Sequence, residues 1–152
     1  MRIGFIDYFL DEWHANNYPA WLRQQAADRG IDLDLGYAWA DTERGLSTAA
    51  WCEKFDMKPM ASQEALIEAC DGIIVLSPDN PEQHERLGKL ALESGKRVYM
   101  DKTFSPDLAC GIRLFDKAAA HGTPMFSSSA LRFSKELADF RLHRHGLNGA
   151  GE

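Results

Sequence analysis

The most chemically suggestive stretch of the sequence is an acid, an amine and a hydroxyl in succession, Asp101-Lys102-Thr103. It comes directly after a short apolar run over 97–100, which is typical of a strand. A lysine at the end of a strand can hydrogen-bond a substrate hydroxyl and help its proton to leave, and partial burial of the amine favours that role. The alternative is a solvated lysine in a loop, the common state of this residue type. Lys102 is therefore a candidate site residue.

Polar residues also follow the other apolar runs of the chain. Because the carboxyl ends of parallel strands meet at one edge of a sheet, we expect these residues to line a common ligand crevice. The candidate ligand-binding residues are Asp7, Tyr8, Asp41, Ser77, Pro78, Asn80, Asp101 and Lys102. The serines over 127–129 follow the last run, but they lack the G-x-S-x-G frame of a hydrolase.

Short apolar runs alternate with helical stretches along the whole chain. The run over 72–76 is continuously apolar, which suits a parallel strand that is covered on both faces. The predicted strands are 2–6, 33–40, 72–76, 97–100 and 125–128, with a short extended piece over 57–61. The predicted helices are 18–30, 47–55, 62–70, 80–94, 105–122 and 134–146. This alternation predicts an α/β fold with a doubly wound, mostly parallel sheet, in a Rossmann-like three-layer α/β/α arrangement.

The composition and the cysteine pattern exclude several classes of protein. The 152 residues contain 17 Lys and Arg against 23 Asp and Glu, a net charge of −6 that disfavours sequence-independent nucleic-acid binding. No apolar run approaches the roughly 20 residues of a membrane span, and the N-terminal stretch meets a carboxylate too early for a signal peptide. Cys52, Cys70 and Cys110 form no C-x-x-C pair, so we expect free thiols in a reducing cytoplasm. We expect no metal site, because His143 and His145 would point apart on a helix.

Several segments carry a resemblance to a known family. They are D-G-I-I-V-L-S-P over 71–78, G-K-R-V-Y-M-D-K-T over 95–103, F-D-K-A-A-A-H-G over 115–122 and R-F-S over 132–134, with His84 between the first two. The second is similar to a G-K-x-V-x-x-E-K-P motif and the first to a D-x-V-x-V-x-T-P motif. In order and spacing they resemble the Gfo/Idh/MocA family, the nicotinamide-dependent sugar and polyol dehydrogenases. The resemblance covers about residues 50–146.

The resemblance implies an N-terminal Rossmann domain that binds NAD or NADP, followed by an α/β domain that holds a sugar or polyol substrate. Lys102 corresponds to the lysine of the E-K-P motif, which lies beside the nicotinamide and the substrate hydroxyl, so the resemblance makes Lys102 the candidate catalytic residue. Asp101 replaces the family's glutamate, and Thr103 replaces its proline. Asp41 follows the second predicted strand and would bind a ribose hydroxyl and favour NAD over NADP, or it only starts a polar turn. The strand-end residues are therefore candidate cofactor-binding residues.

The turn after the first strand departs from the family pattern. A dinucleotide-binding turn reads G-x-G-x-x-G, because side chains there would block the pyrophosphate. Here Gly4 is followed by Asp7, Asp11 and Glu12, whose carboxylates would repel two phosphates. The cofactor then either binds in a shifted pose or does not bind. The loop over 11–19 is either a polar ligand site with aromatic faces or an Asx-rich loop that caps the first helix.

We expect a Rossmann-like domain over 1–130 and, over 131–152, a linker helix and the start of an absent substrate domain. The predicted function is the cofactor-binding domain of an NAD(P)-dependent oxidoreductase, without turnover by the isolated chain. The alternative is a non-catalytic Rossmann-like binding or oligomerisation module that has lost dinucleotide binding. A surface left bare by the absent domain favours a homo-oligomer such as a dimer. Its predicted apolar residues are Leu131, Phe133, Leu137 and Phe140.

Overall fold

The computed structural model describes residues 1–129 together with Arg132 and Ser134. Its six strands form one parallel sheet in the order β3-β2-β1-β4-β5-β6, which confirms the predicted α/β fold. The strands are β1 (Arg2–Asp7), β2 (Asp34–Ala40), β3 (Lys58–Pro59), β4 (Gly72–Val75), β5 (Arg97–Met100) and β6 (Met125–Phe126). The helices are α1 (Trp13–Arg29), α2 (Thr48–Lys54), α3 (Gln63–Ala69), α4 (His84–Glu93) and α5 (Leu108–Ala120). The expected helix over 134–146 and the expected apolar patch lie outside the described residues.

Alternating residues of the central strands face two separate hydrophobic cores. In β4, Ile73 and Val75 face the core under α3, α4 and α5, whereas Ile74 faces the core under α1 and α2. All of β4 is buried because both of its faces are covered, as its continuous apolar run predicts. Gly4 of β1 permits this close packing, since a Cβ at that position would approach Leu66 Cδ2 to 2.6 Å. This glycine therefore serves the core and not a ligand.

Helix α1 begins at Trp13, and the predicted start at Tyr18 is wrong. The carboxylate of Glu12 accepts two backbone N–H groups of the first turn, and this cap starts the helix earlier. Pro19 consequently lies inside α1 and not at its first position. The predicted end is confirmed, because Gly30 follows the last helical residue with a left-handed φ of 63°. Most of the stretch predicted as a loop over 11–19 is thus the first part of a helix.

Two further helix starts differ from the prediction. Asn80 makes no capping bond; its amide donates to Glu82 at 3.2 Å, and a 3-10 turn precedes α4. Helix α5 starts at Leu108, because the carboxylate of Asp107 accepts the N–H of Cys110 at 2.7 Å. The predicted helices over 47–55 and 62–70 begin where expected, because the side chains of Ser47 and Ser62 cap α2 and α3.

The described part of the chain contains three cysteines, Cys52, Cys70 and Cys110, which are free and buried. Over the same residues, none of the helices has the length and apolar character needed to cross a bilayer. No group of three or more potential metal-ligating side chains occurs there either.

Candidate active site

Two aspartates lie at the same level and on the same face of the sheet. Val75 of β4 pairs with Ile6 on one side and with Met100 on the other, so the residues that follow these two, Asp7 and Asp101, are level across β4. Each comes two residues after an aromatic side chain of the core under α1, which places both carboxylates on that face. Asp7 is 1% exposed and Asp101 is fully buried. No described residue hydrogen-bonds the Oδ2 atom of either carboxylate.

Asp7 lies in an environment that disfavours its charge. Its Oδ1 atom accepts the N–H of Tyr8 at 2.7 Å. Burial raises the pKa of Asp7 well above its usual range, and the negative charge of Glu12 raises it further. The carboxyl group at the end of β1 therefore favours its protonated form.

Asp101 is surrounded instead by hydrogen-bond donors. The Tyr18 hydroxyl donates to its Oδ1 atom at 3.3 Å, and the Tyr99 hydroxyl lies at the same distance. Burial raises the pKa of both phenols, so that they remain protonated donors. The Lys102 Nζ atom lies 4.0 Å from Oδ2, and the lysine side chain is 36% exposed. The amine therefore has a buried carboxylate on one side and an opening to solvent on the other.

The end of β4, between these aspartates, is held firmly. Ser77 adopts a φ of 87°, a conformation rare outside glycine, and its hydroxyl donates to the carbonyl oxygen of Asn80 at 3.1 Å. The ring of His84 is fully buried between two carbonyl oxygens, that of Leu76 at 2.7 Å and that of Phe104 at 3.0 Å. This histidine joins the end of β4 to the loop after β5, and it thereby fixes the backbone that carries Asp101 and Lys102 (residues 101–104).

The N-terminus of α1 is already occupied by an anion of the chain itself. The carboxylate of Glu12 accepts the N–H of His14 at 2.7 Å and the N–H of Ala15, and the residue is only 8% exposed. Backbone N–H groups at the start of this helix are the donors that hold a pyrophosphate in a dinucleotide-binding turn. With both donors satisfied by Glu12, this end of the helix does not fit a pyrophosphate in the present arrangement.

The loop after β2 closes over the same turn. The N–H of Leu46 donates to the Asp11 carboxylate at 3.0 Å, and the guanidinium of Arg44 lies 5.2 Å from the centre of the Phe9 ring. Gly45 makes this closure possible, because its φ is 74° and a Cβ there would clash with Asp11. Protein side chains therefore fill the space beyond β1 and β2.

Asp41 lies at the end of β2, as predicted, but its carboxylate is engaged. The Nη1 and Nη2 atoms of Arg86 donate to the two carboxylate oxygens of Asp41, each at 2.8 Å. The Arg86 hydrogen bonds lower the pKa of Asp41, so it remains an ionised partner. An oxygen of Asp41 would bind a ribose hydroxyl only in exchange for part of this ion pair.

The structure brings some of the predicted site residues together and separates others. Asp7, Ser77, Asp101 and Lys102 lie at the adjoining ends of β1, β4 and β5, whereas Asp41 is paired with a residue of α4. Among the remaining candidates, Pro78 is buried, and Tyr8 and Asn80 are half-buried.

Sequence analysis missed two residues that shape this site, Arg86 and Tyr99. It named Glu12 and the loop over 11–19, which contains Tyr18, but it did not predict the contacts that these two residues make. Tyr99 could have been found, since it stands two residues before Asp101 in a strand and so shares its face. The Tyr18 contact with Asp101 joins residues 83 apart in sequence, and the Arg86 contact with Asp41 joins residues 45 apart. Neither leaves a local signal.

Most of the chain matches one family of known proteins. The family model GFO_IDH_MocA, described as an oxidoreductase family with an NAD-binding Rossmann fold, matches residues 25–128. The match begins within α1 and leaves out β1 and the turn that Glu12 occupies. No curated protein matches the chain.

Solved structures share the fold. A probable dehydrogenase from Thermotoga maritima is 19% identical with a TM-score of 0.75, covering 96% of this chain and 41% of the other. UDP-N-acetylglucosamine 3-dehydrogenase from Acidithiobacillus ferrooxidans is 18% identical with a TM-score of 0.72, covering 99% and 44%. Biliverdin reductase from Synechocystis, solved with biliverdin and NADP+, is 20% identical with a TM-score of 0.68, covering 99% and 44%. The chain thus spans between 41% and 44% of the length of these proteins.

Proposed function

Because this chain belongs to the Gfo/Idh/MocA oxidoreductase family, with its NAD-binding Rossmann fold, we propose that it is the cofactor-binding domain of an NAD(P)-dependent oxidoreductase that acts on a sugar or polyol hydroxyl. The observation that carries the proposal is the amine of Lys102, which lies 4.0 Å from the buried Asp101 at the end of β5. This is the edge of a parallel sheet at which ligands bind.

The residues at the end of β5 can accept the proton that an alcohol loses when it is oxidised. In this class of reaction the dinucleotide supplies the hydride acceptor. Lys102 hydrogen-bonds the substrate hydroxyl, and its Nζ atom takes up the hydroxyl proton as it passes one to Asp101 Oδ2, the oxygen that has no hydrogen-bond partner among the described residues. Tyr18 and Tyr99 hold the other carboxylate oxygen and so keep Asp101 in place. The carboxylate positions the amine, and the amine contacts the substrate.

We assign residues 1–130 to the cofactor-binding domain and infer that the substrate domain follows it. The length of the solved relatives supports this division, because the chain spans less than half of each. The activity then belongs to a longer protein, and the isolated chain binds the cofactor without turning over substrate. The buried free thiols support a cytoplasmic location.

A second candidate function is a non-catalytic binding or oligomerisation module of the same fold. The cap that Glu12 places on α1 favours it, because the donors for a pyrophosphate are already satisfied. A module of this kind would bind neither NADH nor NADPH at any concentration near the physiological range.

A titration separates the two functions. Tryptophan fluorescence is followed as NADH and NADPH are added to the wild-type chain, to Lys102→Met and to Lys58→Met, an exposed lysine of β3. The oxidoreductase proposal predicts a saturable change by millimolar cofactor, weakened several-fold in Lys102→Met and unchanged in Lys58→Met. No saturable change in any of the three proteins would favour the non-catalytic module.

A further inference from the structure

We propose that the carboxylate of Glu12 competes with the phosphates of a dinucleotide for the N-terminus of α1, so that the resting protein keeps this anion site closed with its own side chain. The nucleotide part of this inference rests on the proposed function. The part that concerns inorganic anions does not, and it is tested separately.

The contacts of Glu12 are those of a bound anion. Its two carboxylate oxygens receive two successive backbone N–H groups, from His14 and Ala15, at the start of a 17-residue helix. Such donors carry the positive end of the helix dipole and favour one negative group. The imidazole of His14 adds a third contact, with Nδ1 3.1 Å from the same carboxylate. The side chain of Glu12 is 5% exposed, so a phosphate cannot reach these donors while the side chain remains.

A second observation shows that the turn cannot hold two anions at once. The Oδ2 atom of Asp7 is buried without a partner, and the charge of Glu12 already raises the pKa of Asp7. A phosphate added here would face the Glu12 carboxylate at close range, in a poorly solvated site where the charge of Asp7 is already disfavoured. Exchange of one anion for another is therefore the only arrangement that satisfies the donors and limits the repulsion.

The surrounding loops determine what has to move. Asp11 receives bonds from the N–H of Leu46 and from the amide of Asn16, which tie the turn to the loop after β2 and to α1. Arg44 lies over the Phe9 ring on the outer side of the same turn. Withdrawal of Glu12 therefore involves the segment over 8–12, while the ends of β4 and β5, held by His84, stay in place.

The test uses two variants of Glu12 and two controls. Glu12→Gly removes the carboxylate and leaves both N–H groups free, and glycine is a tolerated cap. Glu12→Gln keeps the size of the side chain and removes its charge. Asp107→Asn makes the same kind of change at the cap of α5, and Glu43→Gln removes one charge from the loop after β2, where its carboxylate accepts the N–H of Thr48. Circular dichroism verifies that each variant is folded.

Inorganic pyrophosphate is the first probe, titrated by calorimetry, and NADH is the second. We expect Glu12→Gly to bind pyrophosphate at least tenfold more tightly than the wild type, Glu12→Gln to gain several-fold, and both controls to stay within about twofold. In Glu12→Gly the amide NMR signals of residues 14 and 15 should move on addition of pyrophosphate. The affinity for NADH should rise in parallel.

The outcomes separate this inference from the proposed function. If folded Glu12→Gly and Glu12→Gln bind pyrophosphate no better than the wild type, or if Glu43→Gln gains as much, the inference is wrong. If Glu12→Gly fails to fold, the Glu12→Gln result alone decides in the same way. If the variants gain pyrophosphate affinity and none binds NADH, the inference stands and the proposed function fails.

Discussion

Asp7 at the end of β1 and Asp101 after β5 occupy equivalent positions, level with each other on the α1 face of the sheet. Each keeps one buried oxygen without a described partner. Their surroundings differ, because Asp7 faces the carboxylate of Glu12 whereas Asp101 faces two phenols and the amine of Lys102. The closed half of the edge, around Asp7 and Glu12, therefore holds hydrogen-bond acceptors and is covered by side chains of the protein. The open half, around Asp101 and Lys102, holds hydrogen-bond donors, and its amine is partly exposed.

The difference between the two aspartates follows the part of the chain that matches the family model. The β4–β5 half of the edge follows the family sequence, and the family model covers it. The β1 half lies outside the matched residues, and there an acidic side chain caps α1. Helix α1 joins the two halves, because Glu12 caps its first turn and its Tyr18 donates to Asp101.

The largest expected effect comes from the tryptophan that supports the closed half. Trp51 is fully buried, packs on Phe5 and donates to the Asn16 side chain at 3.0 Å. Trp51→Ala should lower the free energy of unfolding by about 3–5 kcal/mol through the cavity it leaves. Chemical denaturation measures this, with Trp21→Ala as the control, because that residue is 48% exposed. A loss as large in Trp21→Ala would contradict the account.

The second prediction contrasts the two aspartates directly. Burial raises the pKa of Asp7 above its unfolded value of about 4, so the folded state loses stability as the pH rises from that value through the folded pKa. Asp7→Asn should therefore stabilise the protein at neutral pH and remove this decline. Denaturation at pH 5 and pH 8 measures both. The matched Asp101→Asn, which loses an oxygen that lies 4.0 Å from the amine of Lys102, should bring no stabilisation. An equal gain in both variants would show that the two ends do not differ.

The third prediction concerns the phenols of the open half. Tyr18→Phe removes the hydroxyl that donates to Asp101 at 3.3 Å and should cost about 1 kcal/mol of unfolding free energy. Under the proposed function the phenol positions Asp101, so in a protein that also carries the proposed substrate domain the same variant should lower kcat more than it raises KM. Tyr37→Phe, on β2, is the control variant. Equal effects of the two changes would remove Tyr18 from the proposed proton path.

The smallest effect is expected at the exposed ion pair beyond β2. Arg86 and Asp41 are joined by two bonds of 2.8 Å, but the arginine side chain is 52% exposed. Arg86→Gln should therefore cost only about 0.5 kcal/mol. If thermal unfolding shows that Arg86→Gln lowers the free energy of unfolding by several kcal/mol, the ion pair is not the weak surface contact that its exposure predicts.

The sequence predicts the parts of the site that depend on one strand and its end. The continuous apolar run over 72–76 and the segment over 95–103 place Lys102 and Asp101 correctly, because strand ends meet at one edge whatever the loops do. The predicted start of α1 at Tyr18 is wrong, because the side-chain cap at Glu12 begins the helix at Trp13. The partners of Asp41 and Asp101 come from distant elements, and no local pattern reveals such contacts.

The most direct test of the account is a crystal structure of Glu12→Gly grown with NADH. We predict density along the carboxyl ends of the strands, with the phosphates on the N–H groups of His14 and Ala15 and the nicotinamide beside Lys102. Density at another surface, or a cofactor bound in the wild-type chain with Glu12 still capping α1, would contradict the claim that Glu12 closes the phosphate end of a dinucleotide site.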